Sequence, residues 1–215
     1  MKKLDLKKEY RELYVPSARK IAVVKVPRLQ FLMIDGRMAP GEEPGTSAAF
    51  EGAMMAIYSV AYTMKFMMKL RSKDPVDYPV MAMEGLWWVE DGFFDITVKD
   101  NWLYTLMMLT PRVVTQRMFE AARDQVGRKR GENPALQQLR LAPFQEGLCM
   151  QVMHIGPYAS EPATVERMRT YAAENGYEDL VGRGGKHHEI YMGDPRKAQP
   201  SKLKTVLRHP VRKLK

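Results

Sequence analysis

Leu148-Cys149-Met150-Gln151-Val152-Met153-His154-Ile155-Gly156-Pro157-Tyr158 and, further on, His187-His188-Glu189-Ile190-Tyr191-Met192-Gly193-Asp194-Pro195-Arg196 bound the stretch whose reading decides the fold. The first segment reads as a strand stopped by Gly156-Pro157, where glycine supplies unusual backbone angles and proline fixes φ. The second reads as a short strand of residues 187–192 ended by Gly193-Asp194-Pro195. Between them Ser160 is placed to cap a helix of about residues 161–174, with Val165, Met168 and Ala172 on one side and Asn175-Gly176 as its stop. Alternation along the second strand sends His187, Glu189 and Tyr191 to one face and His188, Ile190 and Met192 to the other. A carboxylate in mid-strand, flanked on its own face by two ring-bearing side chains, points to a small-molecule pocket.

Working outward, the last strand of this half is residues 203–208, and the same order of elements occurs earlier in the chain. The apolar runs of residues 22–27 and 29–34 end at Asp35-Gly36, and the turn-rich Pro40-Gly41-Glu42-Glu43-Pro44-Gly45 leads to Thr46-Ser47 as N-caps. From Ser47 to Lys69, Phe50, Met54, Ile57, Ala61, Met64 and Met68 recur at helical spacing and form one apolar stripe. Strands follow over residues 79–89 and 102–109, around a loop bracketed by Asp91-Gly92 and Asp100-Asn101. Both halves thus read strand, Gly turn, helix, strand, strand, with Met33-Ile34-Asp35-Gly36 in the place of Met153-His154-Ile155-Gly156. The expected fold is α+β. Two pseudo-symmetric strand-helix-strand-strand modules form a concave antiparallel sheet with helices on the opposite face, and a ligand would sit on the open surface. Module one is about residues 22–110 and module two about 147–210, within one domain spanning 1–215. Residues of about 111–146 read as linker helices, the first opening at Thr110-Pro111.

The composition is that of a globular protein: among 215 residues, 45% are hydrophobic and 27% charged. The one cysteine, Cys149, excludes an internal disulfide framework and reads as a small buried hydrophobe in a reducing compartment. Residues 1–20 read as a polar N-terminal extension, without the apolar core of a signal peptide, and no run is long enough to span a bilayer. A cytoplasmic location is expected. The net charge of +9 is concentrated in residues 2–8, 128–130 and 202–215, as solvated ends and a charged run would place it. No nucleic-acid-binding signature accompanies it, so the expected partner is a small molecule, not a nucleic acid or a membrane. The oligomeric state is not legible.

Other chemistries find little support. Neighbouring residues in a regular strand face opposite ways, so His187 and His188 cannot share a metal ion, and His154 and His209 lie at no ligand-like spacing. No nucleophile elbow appears, and Gly182-Arg183-Gly184-Gly185-Lys186 lacks the spacing and following helix of a phosphate loop. No cofactor is expected. What remains is an aromatic and acidic set: Trp87, Trp88, Trp102 and Tyr104 in the first half, Tyr158 and Tyr191 in the second, with His187 and the carboxylates Glu84 and Glu189. Such a set could hold flat or cationic molecules by stacking, cation–π contact and one charge. Glu189 reads as pocket-facing. Glu84, kept as a candidate contact, reads more readily as facing solvent.

These stretches together resemble the GyrI-like small-molecule-binding family. The resemblance is carried by Asp35-Gly36-Arg37, Tyr78-Pro79-Val80, Glu84-Gly85-Leu86-Trp87-Trp88 and Asn101-Trp102-Leu103-Tyr104-Thr105-Leu106-Met107. In the second half it is carried by Gln151-Val152-Met153-His154-Ile155-Gly156-Pro157-Tyr158, by residues 188–196, and by Leu207-Arg208-His209-Pro210-Val211. It covers nearly the whole chain. No DNA-binding region precedes it, which points to the stand-alone branch, related to multidrug-binding effector domains. The resemblance implies a cleft between modules for bulky aromatic, often cationic compounds, with an acid at its floor that Glu189 matches. Some stand-alone members are similar to hydrolases that open the cyclopropane ring of DNA-alkylating natural products. By that resemblance Glu189 would activate water, Tyr158 or Tyr191 would assist, and Trp87, Trp88 and Trp102 would clamp a flat substrate. A sensing or sequestering protein without turnover is the alternative use of the same pocket.

Overall fold

The computed structural model describes the chain except Gly45, Lys99, Asp100 and Glu132. The turn signals read at Gly45 and Asp100 therefore lie outside the described residues. The elements are β1 (Lys2–Lys3), α1 (Leu6–Glu9), α2 (Arg11–Tyr14), β2 (Ala22–Arg37), α3 (Ala48–Lys69), β3 (Val76–Asp77), β4 (Met83–Trp88) and β5 (Leu103–Leu109), followed by α4 (Gln116–Arg130), α5 (Ala135–Gln138), β6 (Arg140–Ile155), α6 (Glu161–Glu174), β7 (Tyr177–Asp179), β8 (His187–Tyr191) and β9 (Lys204–Lys213).

The duplication read from the sequence is present as β2-α3-β4-β5 and β6-α6-β8-β9. Within the modules, β2 pairs with β5 as β6 pairs with β9, and β4 with β5 as β8 with β9. Between modules, β2 pairs with β6 and β4 with β8, all antiparallel. The modules thus join along both edges, and the sheet curls into a barrel. Closure leaves few unpaired strand edges, a route by which antiparallel sheets avoid edge-to-edge association.

Strands β2 and β6 are longer than their apolar runs. Pro27 does not end β2: the pairing runs through Val26↔Gly147 and resumes at Arg28↔Gln145. Gly147, at φ +84, lies opposite this irregularity, where a proline without an N–H is tolerated. Residues 140–146, expected within the linker, form the first half of β6. Thr110 caps no helix. Its hydroxyl donates to the Gln30 carbonyl, and Thr115 caps α4 by accepting from Met118 N–H. Ser47 caps α3 as expected.

Helix α3 lays Phe50, Ile57, Ala61, Met64 and Met68 against the sheet, and α6 lays Val165, Met168 and Ala172 against Met150, Val152 and Leu207. The opposite sheet face carries a buried ionic network. Tyr14 Oη donates to Glu84 at 2.6 Å, and His188 lies between Glu84 at 3.1 Å and Glu146 at 3.0 Å. Arg208 joins Glu146 at 3.3 Å, Gln151 at 3.0 Å and the Leu13 carbonyl at 2.7 Å. The N-terminal segment is therefore no solvated extension: Leu6, Leu13 and Tyr14 are buried, and α2 closes the network. Nor are all the basic residues near the C-terminus solvated, since β9 carries Arg208 into this network. Cys149 is buried as read, and burial raises its thiol pKa.

Burial by itself disfavours the His188 imidazolium, but the Glu146 charge and the hydrogen bonds to both carboxylates override it and raise the His188 pKa. A histidine with a raised folded value contributes stability that is complete below about 6.5, its ordinary value, and is lost as the pH climbs through the folded value. We expect His188→Gln to cost about 1–3 kcal/mol at mildly acidic pH and to flatten the decline above neutrality. Urea denaturation of both proteins across a pH series tests this, and parallel stability profiles would count against a charged His188.

Candidate functional site

The strand register decides which candidates meet. In the β4–β8 pair, Trp87 is opposite His187 and Gly85 opposite Glu189, so His187, Glu189 and Tyr191 share the face of Trp87. That is the face the helices cover, because Phe50 of α3 stacks on Trp87 with centroids 5.7 Å apart. The sequence placed the site on the face away from the helices. The structure instead places Glu189 on the helix-covered face, beside Glu161 at the start of α6.

Glu189 is 7% exposed. Its Oε1 bonds His187 Nε2 at 3.0 Å, and the Tyr191 hydroxyl lies beside it. Burial, then the Glu189 charge, raises the Tyr191 pKa well above the ordinary phenol value, so this hydroxyl stays protonated. Trp87 Nε1 donates to Tyr191 Oη at 3.1 Å, and Tyr158 meets the Tyr191 ring edge-on at 5.9 Å. Tyr158 is 39% exposed, its own pKa pushed up to about 12 by burial and by Glu161 and Glu189. Tyr58 of α3 is also exposed, and both tyrosines feel the charge of Asp194. Met55, Tyr62 and Phe66 continue from Tyr58 as an exposed apolar stripe along α3.

The tryptophans divide. Trp87 and Trp102 are buried in one aromatic cluster with Phe50, Phe94 and Tyr104, behind Tyr191. They support the site from behind and do not wall it. Trp88 lies on the opposite face, where Lys186 Nζ sits 3.2 Å from its ring centre. Glu84 is also on that face and wholly buried, held by Tyr14 and His188. The reading of Glu84 as a solvent-facing acid is thus corrected, and the fold does not bring it together with Glu189.

Two features escaped the sequence reading. Glu161, the first residue of α6, is a second buried carboxyl beside Glu189. Burial first, then the Glu189 charge, raises its pKa to about 9. Thr205 tempers this, yet not within hydrogen-bonding geometry: Glu161 Oε1 and Thr205 Oγ1 are both buried without a hydrogen-bond partner among the described residues. The site therefore pairs one neutral carboxyl with Glu189, the arrangement expected when two carboxyls share a desolvated space. The second feature is His209, which the fold brings to 2.7 Å from His187 although 22 residues separate them. Among the described residues, no group of three or more His, Cys, Asp or Glu side chains is arranged to hold a metal ion.

Residues 19–212 match the GyrI-like small molecule binding domain. The chain belongs to this family. An uncharacterized conserved protein from Listeria innocua shares 37% identity and a TM-score of 0.86 with this GyrI-like chain, over 97% of it and 100% of the Listeria chain. A hydrolase from the same species shares 35% identity and a TM-score of 0.80, again over 97% and 100%. The EcmrR C-terminal domain, at 13% identity, TM-score 0.52, and coverage of 91% and 98%, is alike in fold alone. No curated protein matches the chain. No helix among the described residues is long and apolar enough to cross a membrane.

The Glu161 carboxyl gives a test by stability. Neutral in the folded state and ionised in the unfolded chain, it lowers stability as the pH rises from about 4.5 towards about 9. Glu161→Gln is expected to match the parent near about pH 5 and to exceed it near about pH 8.5. Denaturant midpoints at both values check this, and an equal deficit at both would mean that Glu161 is ionised in the folded protein.

Proposed function

We propose that this GyrI-like protein binds flat, bulky aromatic or cationic molecules at Glu189 and hydrolyses a strained, cyclopropane-bearing electrophile there. The observation that carries the reading is a buried carboxylate, Glu189, with the Tyr158 and Tyr191 hydroxyls and the Glu161 carboxyl around it. Tyr158, Tyr191 and the exposed α3 stripe of Met55, Tyr58 and Tyr62 supply the aromatic and apolar contacts. The 35%-identical hydrolase supports a hydrolytic use of the same fold, while the cyclopropane-bearing substrate class is what the family resemblance implies.

In the reaction, water oxygen bonds to a cyclopropane carbon as the ring C–C bond breaks. The electron pair of that bond passes into a carbonyl conjugated with the ring, and Glu189 takes the proton the water loses. The carbonyl oxygen gains its proton from Tyr158, Tyr191 or Glu161, each holding one at neutral pH. A positioned base contributes about 10²–10⁴-fold. The net charge of +9 opposes cationic ligands at long range, but screening limits that field to about 8–10 Å, whereas one desolvated carboxylate acts at contact.

Incubation with a cyclopropane-bearing alkylator, followed by chromatography for the ring-opened product, tests the reading. Glu189→Gln is expected to lower kcat by about 10²-fold or more. It is also expected to weaken binding of a cationic aromatic dye. Full turnover by Glu189→Gln would remove Glu189 as the base. Dye binding without product formation by the parent would establish the protein as a sequestering or sensing module.

A further inference from the structure

Behind Glu189 runs an unbroken line of buried hydrogen bonds. Glu189 Oε1 meets His187 Nε2 at 3.0 Å, His187 Nδ1 meets His209 Nε2 at 2.7 Å, and His209 Nδ1 meets Asp179 Oδ2 at 2.7 Å. Both histidines are fully buried, and Asp179 is half-buried at the edge strand β7. Phe94 stacks on His187 at 5.5 Å and closes one side of its ring. The line uses one nitrogen of each ring on each side, leaving neither imidazole a nitrogen for any other partner.

Proton counting gives this line a definite charge. Three hydrogen bonds need three hydrogens. If Glu189 and Asp179 are both carboxylates, all three sit on the four ring nitrogens, so the histidine pair carries one positive charge between two negative ends. Two neutral rings would leave one bond without its hydrogen unless a carboxyl supplied it. Burial lowers the His187 pKa, outweighing its bond to Glu189. His209 holds Asp179 below the usual carboxylate range despite its burial. The count places the positive charge on the histidine pair as a whole, with a His187 N–H facing Glu189.

We infer that Asp179, His209 and His187 are positioning residues that orient Glu189 and keep it ionised through a buried imidazolium shared between the two rings. This rests on Glu189 being the base proposed above. A purely structural line would cross-link β7, β9 and β8 equally well, but it would have no need to end on the site carboxylate. It would also have no reason to leave the other Glu189 oxygen, Oε2, outside the line. Other charges face the line from the packed elements. Glu161 of α6 lies near the Glu189 end, His154 of β6 is coupled to Glu189, Arg169 of α6 acts on Asp179, and His188 acts on His187 from the neighbouring position. These groups are present with or without the line, so what the Asp179 and His209 substitutions change is the line itself.

Asp179→Asn and His209→Gln test the inference, with kcat and KM for the ring-opening reaction measured across pH. Loss of the shared charge makes Glu189 harder to ionise. The acid limb of kcat should then move upward by about one pH unit and kcat fall about tenfold or more, with KM changed by about twofold or less. Variants that are less stable yet retain the parent's pH profile would overturn the inference. Should the parent turn over no such substrate, the hydrolytic reading fails while the shared proton is still tested by nitrogen-15 NMR of the histidine rings. A shift of the His187 Nε2 resonance in Asp179→Asn supports the coupling, and an unmoved resonance overturns it.

Discussion

Strand β8 buries His187, His188 and Glu189 in consecutive positions, and almost everything else about the site follows from the need to give each a partner. An isolated ionised group in a protein interior costs far more than any single contact returns, so such residues persist only where acceptors and donors converge on them. Alternation sends His188 to one face, where Glu84 and Glu146 hold it, and sends His187 and Glu189 to the other, where His209 and Asp179 complete the line. These partners come from β4, β6, β7 and β9, so β8 is satisfied only when strands of both modules have closed around it. A slip of one residue would exchange the faces of the two histidines and leave both sets of carboxylates unpaired. Register is therefore set by charge as much as by apolar burial.

The pseudo-symmetric fold was legible because it rests on local signals. Periodicity gave α3 and α6, Gly-Pro and Gly-Asp-Pro turns gave strand ends, and the repeated order of elements gave the two modules. The errors arose where a distant partner overrides the local signal. Pro27 and the polar residues 140–146 read as a break and a linker, yet they form a continuous strand pair because Gly147 absorbs the irregularity opposite the proline. The N-terminal segment read as an extension because nothing within it reveals that Tyr14 reaches Glu84, 70 residues away.

The site was partly legible for the same reason. Glu189, His187 and Tyr191 were placed together correctly, since strand alternation alone determines their face. The tryptophans were not separable, because adjacent Trp87 and Trp88 differ only in which face is covered, and that depends on the register of β4 against β8. Glu161 gave no signal at all: an acid in the first turn of a helix is ordinary, favoured there by the helix dipole. His209 gave a faint one, as the polar member of the alternating set Leu207, His209 and Val211 on an otherwise apolar strand face.

The two buried polar systems on either side of the sheet differ in one respect that bears on function. In the Glu84 network each carboxylate and cation is matched, and even backbone carbonyls at Glu12 and Leu13 are drawn in. On the Glu189 side the accounting is incomplete. Among the described residues three buried side-chain polar atoms lack a hydrogen-bond partner, and two of them, Glu161 Oε1 and Thr205 Oγ1, lie beside this site. Leaving such atoms unpaired costs about 1–3 kcal/mol each unless a further partner completes them. A closed set of partners is what a scaffold requires. An open set, held beside a fully determined line of hydrogen bonds, is what a guest molecule or a reacting water can complete.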